Sequence, residues 1–145
     1  MISVAFLFDT DAISEVLRRR PAPRYLHWLA TVPRAEQFTS AVVLGELYKG
    51  AFRSSDQARH LKNIDDRILP AVTVLPYDGA VARTFGEIHA TLTRDGRILA
   101  DADLQIAATA LHHGLELVTG NVRHFDRVPR LRINRILPDA RSNAQ

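Results

Sequence analysis

Apolar positions along the chain fall into short continuous blocks that alternate with helical stripes. Val4 to Phe8 is an unbroken apolar run, too short for a helix and of the kind that a strand buried on both faces requires. Asp11 then reads as the cap of a short helix with Ile13, Val16 and Leu17 facing inward, ending near Arg20-Pro21. Pro23 to Thr31 predicts a second helix, and Gln37 to Thr39 a brief extended piece. Ser40 is placed to cap a helix from Ala41 to about Arg53, whose apolar face is Val43, Leu44, Leu47, Tyr48 and Ala51. Asp56 to Leu69 reads as an amphipathic helix stopped by Pro70, and Val72 to Leu75 as a strand. Asp78 caps a long helix carrying Val81, Phe85, Ile88 and Leu92, with Gly96 as its stop. Asp101 precedes a helix from about Ala102 to His113, closed by Gly114. Leu117 to Thr119 and Arg132 to Ile136 complete the set of strands.

Strands that alternate with helices predict an α/β fold, a sandwich around a central, mostly parallel sheet of four to five strands. No linker interrupts the pattern, so residues 1–137 are expected to form one domain and 138–145, small and polar at the end, a frayed tail.

Composition narrows the chemistry. The 145 residues contain no cysteine, which excludes disulfides, cysteine-ligated zinc, iron–sulfur clusters and a thiol nucleophile. Hydrophobic residues at 46% and charged residues at 24% are the balance of a globular chain rather than a disordered one. The first apolar run stops at Asp9, and no later window is long enough to span a membrane. A cytoplasmic protein is the expectation. The net charge of +3 is too small to imply nucleic-acid binding by itself, but 17 of the 19 cations are Arg, with Lys49 and Lys62 the exceptions. Arg forks onto phosphate oxygens in a way Lys cannot, although a codon bias toward Arg gives the same count.

Ligands of open α/β sheets sit at the carboxyl ends of the strands. Two predicted strands end in polar residues there, Phe8-Asp9-Thr10-Asp11 and Val118-Thr119-Gly120-Asn121, which puts Asp9 and Asn121 at one edge. Glu46 lies on the flank of an apolar helix face, with Gly50 one turn later leaving space beside it. A salt bridge, a route to water or a metal ion would each offset the cost of a carboxylate there. Asp101 and Asp103 open another helix, where capping alone accounts for one acid; Asp101 fits the cap, which leaves Asp103 as the functional candidate. Hard oxygen donors from several elements, without His or Cys pairs, suit Mg²⁺ or Mn²⁺, ions that favour phosphate-ester hydrolysis by an activated water.

These segments, in this order, carry a resemblance. Phe8-Asp9-Thr10-Asp11-Ala12-Ile13, then Gly45-Glu46-Leu47, Asp95-Gly96-Arg97-Ile98, Asp103-Leu104-Gln105-Ile106-Ala107-Ala108 and Leu117-Val118-Thr119-Gly120-Asn121 resemble PIN-domain ribonucleases, in particular the VapC-type toxins of bacterial toxin–antitoxin pairs. The resemblance spans about Phe6 to Asn134. It implies a PIN-like three-layer α/β/α sandwich and a divalent-metal-dependent endoribonuclease. It further implies Asp9, Glu46 and Asp103 as acidic metal positions, Asn121 as a catalytic neighbour, and Thr10 and Thr119 as hydroxyls that orient carboxylates. It also implies an RNA substrate, a small VapB-like antitoxin as partner and a homodimer, with no membrane role. One position departs: many relatives carry a fourth acid before the Phe of the last motif, where this chain has His124. Either Asp101 supplies the missing charge, or His124 takes Mn²⁺ or touches RNA, or a single ion binds until substrate arrives.

The strip Arg123, Arg127, Arg130, Arg132, Arg135 and Arg141 is the expected RNA-facing or antitoxin-facing surface, with Arg123, His124 and Arg127 nearest the site and Arg18-Arg19-Arg20 as a second run. Two other readings stay open. Phe8-Asp9-Thr10-Asp11 also fits the first motif of a haloacid-dehalogenase-like phosphatase, with Asp9 as nucleophile and Asp11 as acid/base. A catalytically degenerate RNA-binding or partner-binding PIN module is the other.

Overall fold

The structure, a computed structural model, describes residues 4–142. Five strands, β1 (Phe6–Phe8), β2 (Gln37–Ser40), β3 (Thr73–Leu75), β4 (Glu116–Val118) and β5 (Ile133–Asn134), form one sheet in the order β3-β2-β1-β4-β5. Every pair is parallel, with Leu7 facing Phe38 on one side and Leu117 on the other. Leu7 and Leu117 are fully buried, as the continuous apolar runs require of a sheet covered on both faces. The chain winds outward from β1 to β3 and then restarts on the other side with β4 and β5. The β1/β4 boundary is therefore the point where the winding direction reverses and the loops part.

Among the described residues the covering helices are α1 (Thr10–Val16), α2 (Pro23–Ala30), α3 (Ala41–Arg53), α4 (Gln57–Asn63), α5 (Gly79–Arg94), α6 (Asp101–His112), α7 (Val122–Phe125) and α8 (Ile136–Ser142). Helix α3 begins where the Ser40 hydroxyl accepts the Val43 N–H at 3.1 Å, and α5 where Asp78 accepts the Val81 N–H at 3.1 Å. Gly96 and Gly114, which follow α5 and α6, adopt φ of 66° and 64°, a left-handed turn that favours glycine. Helix α6 runs through the centre, with Leu104, Ile106, Ala107, Ala108 and Ala110 all at 1% exposure or less. Its small residues let α3, α5 and β4 approach closely. No helix of the described residues is long and apolar enough to cross a membrane.

Three expectations are corrected. Asp9, not Asp11, caps α1, because the strand ends at Phe8 and the Asp9 carboxylate reaches the Ala12 N–H at 2.8 Å. Helix α6 starts at Asp101 itself, after Ala100, so Asp101 is not its cap. The frayed tail is instead helix α8 through Ser142. Leu137 and Ala140 are buried, Arg141 is paired, and residues 143–145 lie outside the described part. The segment after α4 is also not ideal helix: Ile64–Ile68 widens into a π turn, with Ile64 and Ile68 both buried.

Candidate functional site

The parting of the loops at β1/β4 opens a cleft of about 280 Å³ lined by Asp9, Thr10, Asp11, Glu46, Asp103 and Asn121, over Ile106 and Phe125. Residues from β1/α1, α3, α6 and the loop after β4 thus meet at one place, although 94 positions separate Asp9 from Asp103 in sequence.

Asp9 is the most buried of the acids that line the cleft, at 6% exposure. Its backbone N–H bonds to the Val118 carbonyl at 3.2 Å, which ties the residue to β4. Burial pushes its carboxyl up to about pKa 6, and the nearby charges of Asp11 and Asp103 push the same way. The Thr119 hydroxyl and the Ala12 N–H favour the ionised form but do not outweigh the burial. Glu46 is half-buried on α3, where the Thr10 hydroxyl donates to its Oε1. Gly50 leaves open space one turn on, lining a second hollow of about 420 Å³ that shares Thr10 and Glu46 with the cleft and extends to Arg18 and His60. Asp103 sits in the first turn of α6, and His124 Nε2 on α7 lies 2.7 Å from its Oδ2, so the ring N–H donates to the carboxylate. Thr119 Oγ1 accepts the Asn121 N–H at 3.0 Å, which shapes the loop that presents Asn121 at the cleft wall.

None of the Arg and Lys ion pairs among the described residues involves Asp9, Glu46 or Asp103. The donors are all oxygen, which fits a hard divalent ion, and their charge is uncompensated by guanidinium or ammonium. As their side chains stand they do not form a ready cage: among the described residues no three His, Asp or Glu groups converge tightly enough to hold an ion. Each is tethered by a neighbour instead, Asp9 by Ala12, Glu46 by Thr10 and Asp103 by His124.

Other candidates are distributed differently. Asp101 is exposed and does not line the cleft, so it does not fill the place of the missing fourth acid. Arg123 and Arg127 are exposed on and just after α7, and Arg127 donates to the Ile98 carbonyl at 3.3 Å, bridging to the loop before α6. Arg141 does not belong to the surface strip. It turns inward and forks both oxygens of Asp11, at 2.9 Å each, while its Nε and Nη2 reach Glu15 Oε1 at 3.0 and 2.7 Å. This bidentate grip removes Asp11 as the acid/base that a phosphatase reading needs. Glu15, 1% exposed, was not singled out from the sequence. Its position inside the Ile13–Val16 apolar stripe was the available signal, since a buried carboxylate there demands a cation.

A family model described as PIN domain matches residues 6–131. Ribonuclease VapC2 of Haemophilus influenzae is 34% identical over 127 residues, covering 88% of this chain and 94% of its own. The tRNA(fMet)-specific endonuclease VapC of Shigella flexneri is 35% identical over the same shares of both chains. Among solved structures, the DNA-bound VapBC of Salmonella typhimurium superposes with a TM-score of 0.79 at 32% identity, covering 91% of this chain and 98% of that one. The all-parallel five-stranded sandwich thus matches the PIN-like α/β/α fold of solved VapC structures.

Proposed function

Because the chain belongs to the PIN-domain family, as a VapC-type ribonuclease, we propose that its acidic cleft is the active centre of an endoribonuclease toxin, with Asp9, Glu46 and Asp103 as the ion-holding carboxylates. PIN-domain VapC ribonucleases depend on a divalent metal, and here Mg²⁺ or Mn²⁺ is the fitting ion for an all-oxygen set. The observation that carries the reading is that three carboxylates from three separate elements, none paired with Arg or Lys, line one cleft at the reversal point of the sheet.

A bound divalent ion supplies positive charge against a scissile phosphate and lowers the pKa of water. The protein's own groups do the rest. The buried cap position fixes Asp9. Thr10 orients Glu46, and His124 orients Asp103 while occupying one of its oxygens. That bond would favour a single ion among the three carboxylates until substrate arrives. Asn121 lines the wall where a ribose or phosphate oxygen would sit, and Arg123 and Arg127 flank it to hold the strand. A VapB-like antitoxin is the partner we infer, because VapBC assemblies are among the structural relatives. Cytoplasmic location, a homodimer and one domain reaching through α8 complete the reading.

The test is cleavage of a pooled cellular RNA preparation by protein freed of co-purifying partner, with Mg²⁺ or Mn²⁺ and with chelator. Metal-dependent cuts that leave 5′-phosphate and 3′-hydroxyl ends support the reading. Cyclic-phosphate ends, or cutting that survives chelation, overturn the chemistry. Metal-dependent binding without cutting would instead favour a degenerate binding module.

A further inference from the structure

The segment that reads as a tail carries an ion-pair cluster, Arg141 with Asp11 and Glu15, and that cluster abuts the cleft. We propose that Arg141 is a positioning residue for the acidic site: by forking Asp11 it keeps a fourth carboxylate out of the ion position, so that Asp9, Glu46 and Asp103 act without it. The inference rests on the ion-holding role proposed for those three acids.

Four observations carry it. Asp11 lines the same cleft as Asp9, Glu46 and Asp103, which makes it the fourth carboxylate of that cleft. Both of its oxygens are committed to Arg141, at 2.9 Å each, a geometry that a guanidinium provides and an ammonium does not. The guanidinium is in turn anchored on Glu15, which is 1% exposed and also accepts the Ala22 N–H at 2.9 Å. Finally, Gly120 shows how closely the clasp abuts the site loop. A Cβ at this position would lie 2.1 Å from Asp11 Oδ2 and 2.4 Å from Arg141 Nη1, so any side chain between Thr119 and Asn121 would have to displace the clasp. The constraint is one of space. The clasp therefore fixes α1, α8 and the loop after β4 against one another, and these hold Asp9, Thr119 and Asn121.

Arg141 thus sorts the acids of the Asp9-Thr10-Asp11 segment, leaving one free for a cation and neutralising the other. Removing Arg141 alone would leave the buried Glu15 with only the exposed Arg18 and the Ala22 N–H, so the test combines Glu15→Gln with Arg141→Met to free Asp11 without burying a weakly compensated charge. Mn²⁺ binding is read by titration calorimetry and RNA cleavage by kcat and KM separately. The double variant is expected to change Mn²⁺ affinity at least fivefold and lower kcat at least tenfold with KM nearly constant. Adding Asp11→Asn to it is expected to bring Mn²⁺ affinity back within twofold of the parent. A merely structural role would not give that restoration.

Should the double variant fail to fold, Asp11→Asn alone decides. Mn²⁺ affinity within twofold of the parent agrees with a carboxylate already silenced by Arg141, and a tenfold loss makes Asp11 itself a ligand and overturns the proposal. A folded double variant with unchanged Mn²⁺ affinity overturns it too, as does a triple variant that restores nothing. A parent protein that binds Mn²⁺ with these shifts but cuts no RNA would sink the ribonuclease reading and leave the sorting role standing. A parent that binds no Mn²⁺ sinks both.

Discussion

Asp9 and Asp11 are two residues apart on the same turn, yet they occupy opposite electrostatic regimes. Asp9 is buried, faces other acids and has its carboxyl pushed up to about pKa 6, chiefly by burial. Asp11 is more exposed and is held by both arms of Arg141. Beneath Asp11, Glu15 is more deeply buried than Asp9, yet its pKa is lowered. Burial pushes it up, but the Ala22 N–H, Arg141 and Arg18 together outweigh that. Burial alone therefore does not mark a site. A buried acid with a cation is architecture, while a buried acid without one is a place for a charged ligand.

The largest expected break in this contrast is catalytic. Asp9→Asn and Asp103→Asn should each lower metal-dependent RNA cleavage by roughly a hundredfold or more. Asn still caps a helix, so Asp9→Asn should keep the α1 start and unfold no earlier than the parent at pH 7, as thermal melts would show. Cleavage near the parental rate by either variant would refute the assignment of the three acids.

The next effect is in the pH dependence of stability. The folded Asp9 carboxyl binds its proton more tightly than the unfolded one, its pKa pushed from an ordinary 3.8 up to about 6. The native state therefore loses stability as pH rises from about 4 through 6, by roughly 3 kcal/mol for a shift of this size. Glu15 has the opposite sign: its lowered pKa gives stability that is full above its unfolded value of 4.5 and is lost as pH falls through the folded value. Metal-free protein should accordingly melt at its highest temperature near pH 4 to 5. Mn²⁺ should raise the melting temperature more at pH 7 than at pH 5, and Asp9→Asn should flatten the neutral side of the curve.

A smaller effect comes from the loop between the two regimes. Gly120→Ala drives a methyl into the Asp11–Arg141 pair and should cost about 2 kcal/mol in denaturant unfolding, with cleavage reduced in parallel. The smallest concerns the rim. Arg123→Ala and Arg127→Ala should weaken RNA binding only a few-fold, and each should lower the slope of log affinity against log salt by about one. An unchanged slope would place the RNA path elsewhere.

The parts of the fold visible in the sequence are those set by local chemistry. The Ser40 cap of α3, the Asp78 cap of α5 and the glycine stops at Gly96 and Gly114 follow from side chains meeting backbone groups a few residues away, and the structure places them where the pattern predicts. That Asp9 and Asn121 share an edge is also legible, because parallel strand ends must meet there, whereas Glu46 and Asp103, on helices, are joined to them only by the family resemblance. What was not legible depends on partners far along the chain. Asp11 looks like a cap until Arg141 arrives to claim it, and α8 looks like a polar tail because its seven residues bury only Leu137 and Ala140. His124 reads as a lost acid, whereas its 2.7 Å contact makes it a tether for Asp103. Such pairings leave no periodicity to detect.

The Asp11–Arg141 contact joins residues 130 positions apart. At about 5–20 residues per second a ribosome needs several seconds or more to travel that distance. Throughout that interval α1 has been made but its second acid is unclaimed and Glu15 keeps its water. The wall of the cleft thus sets last, so a growing chain carries the acids of a nuclease well before it has their final arrangement.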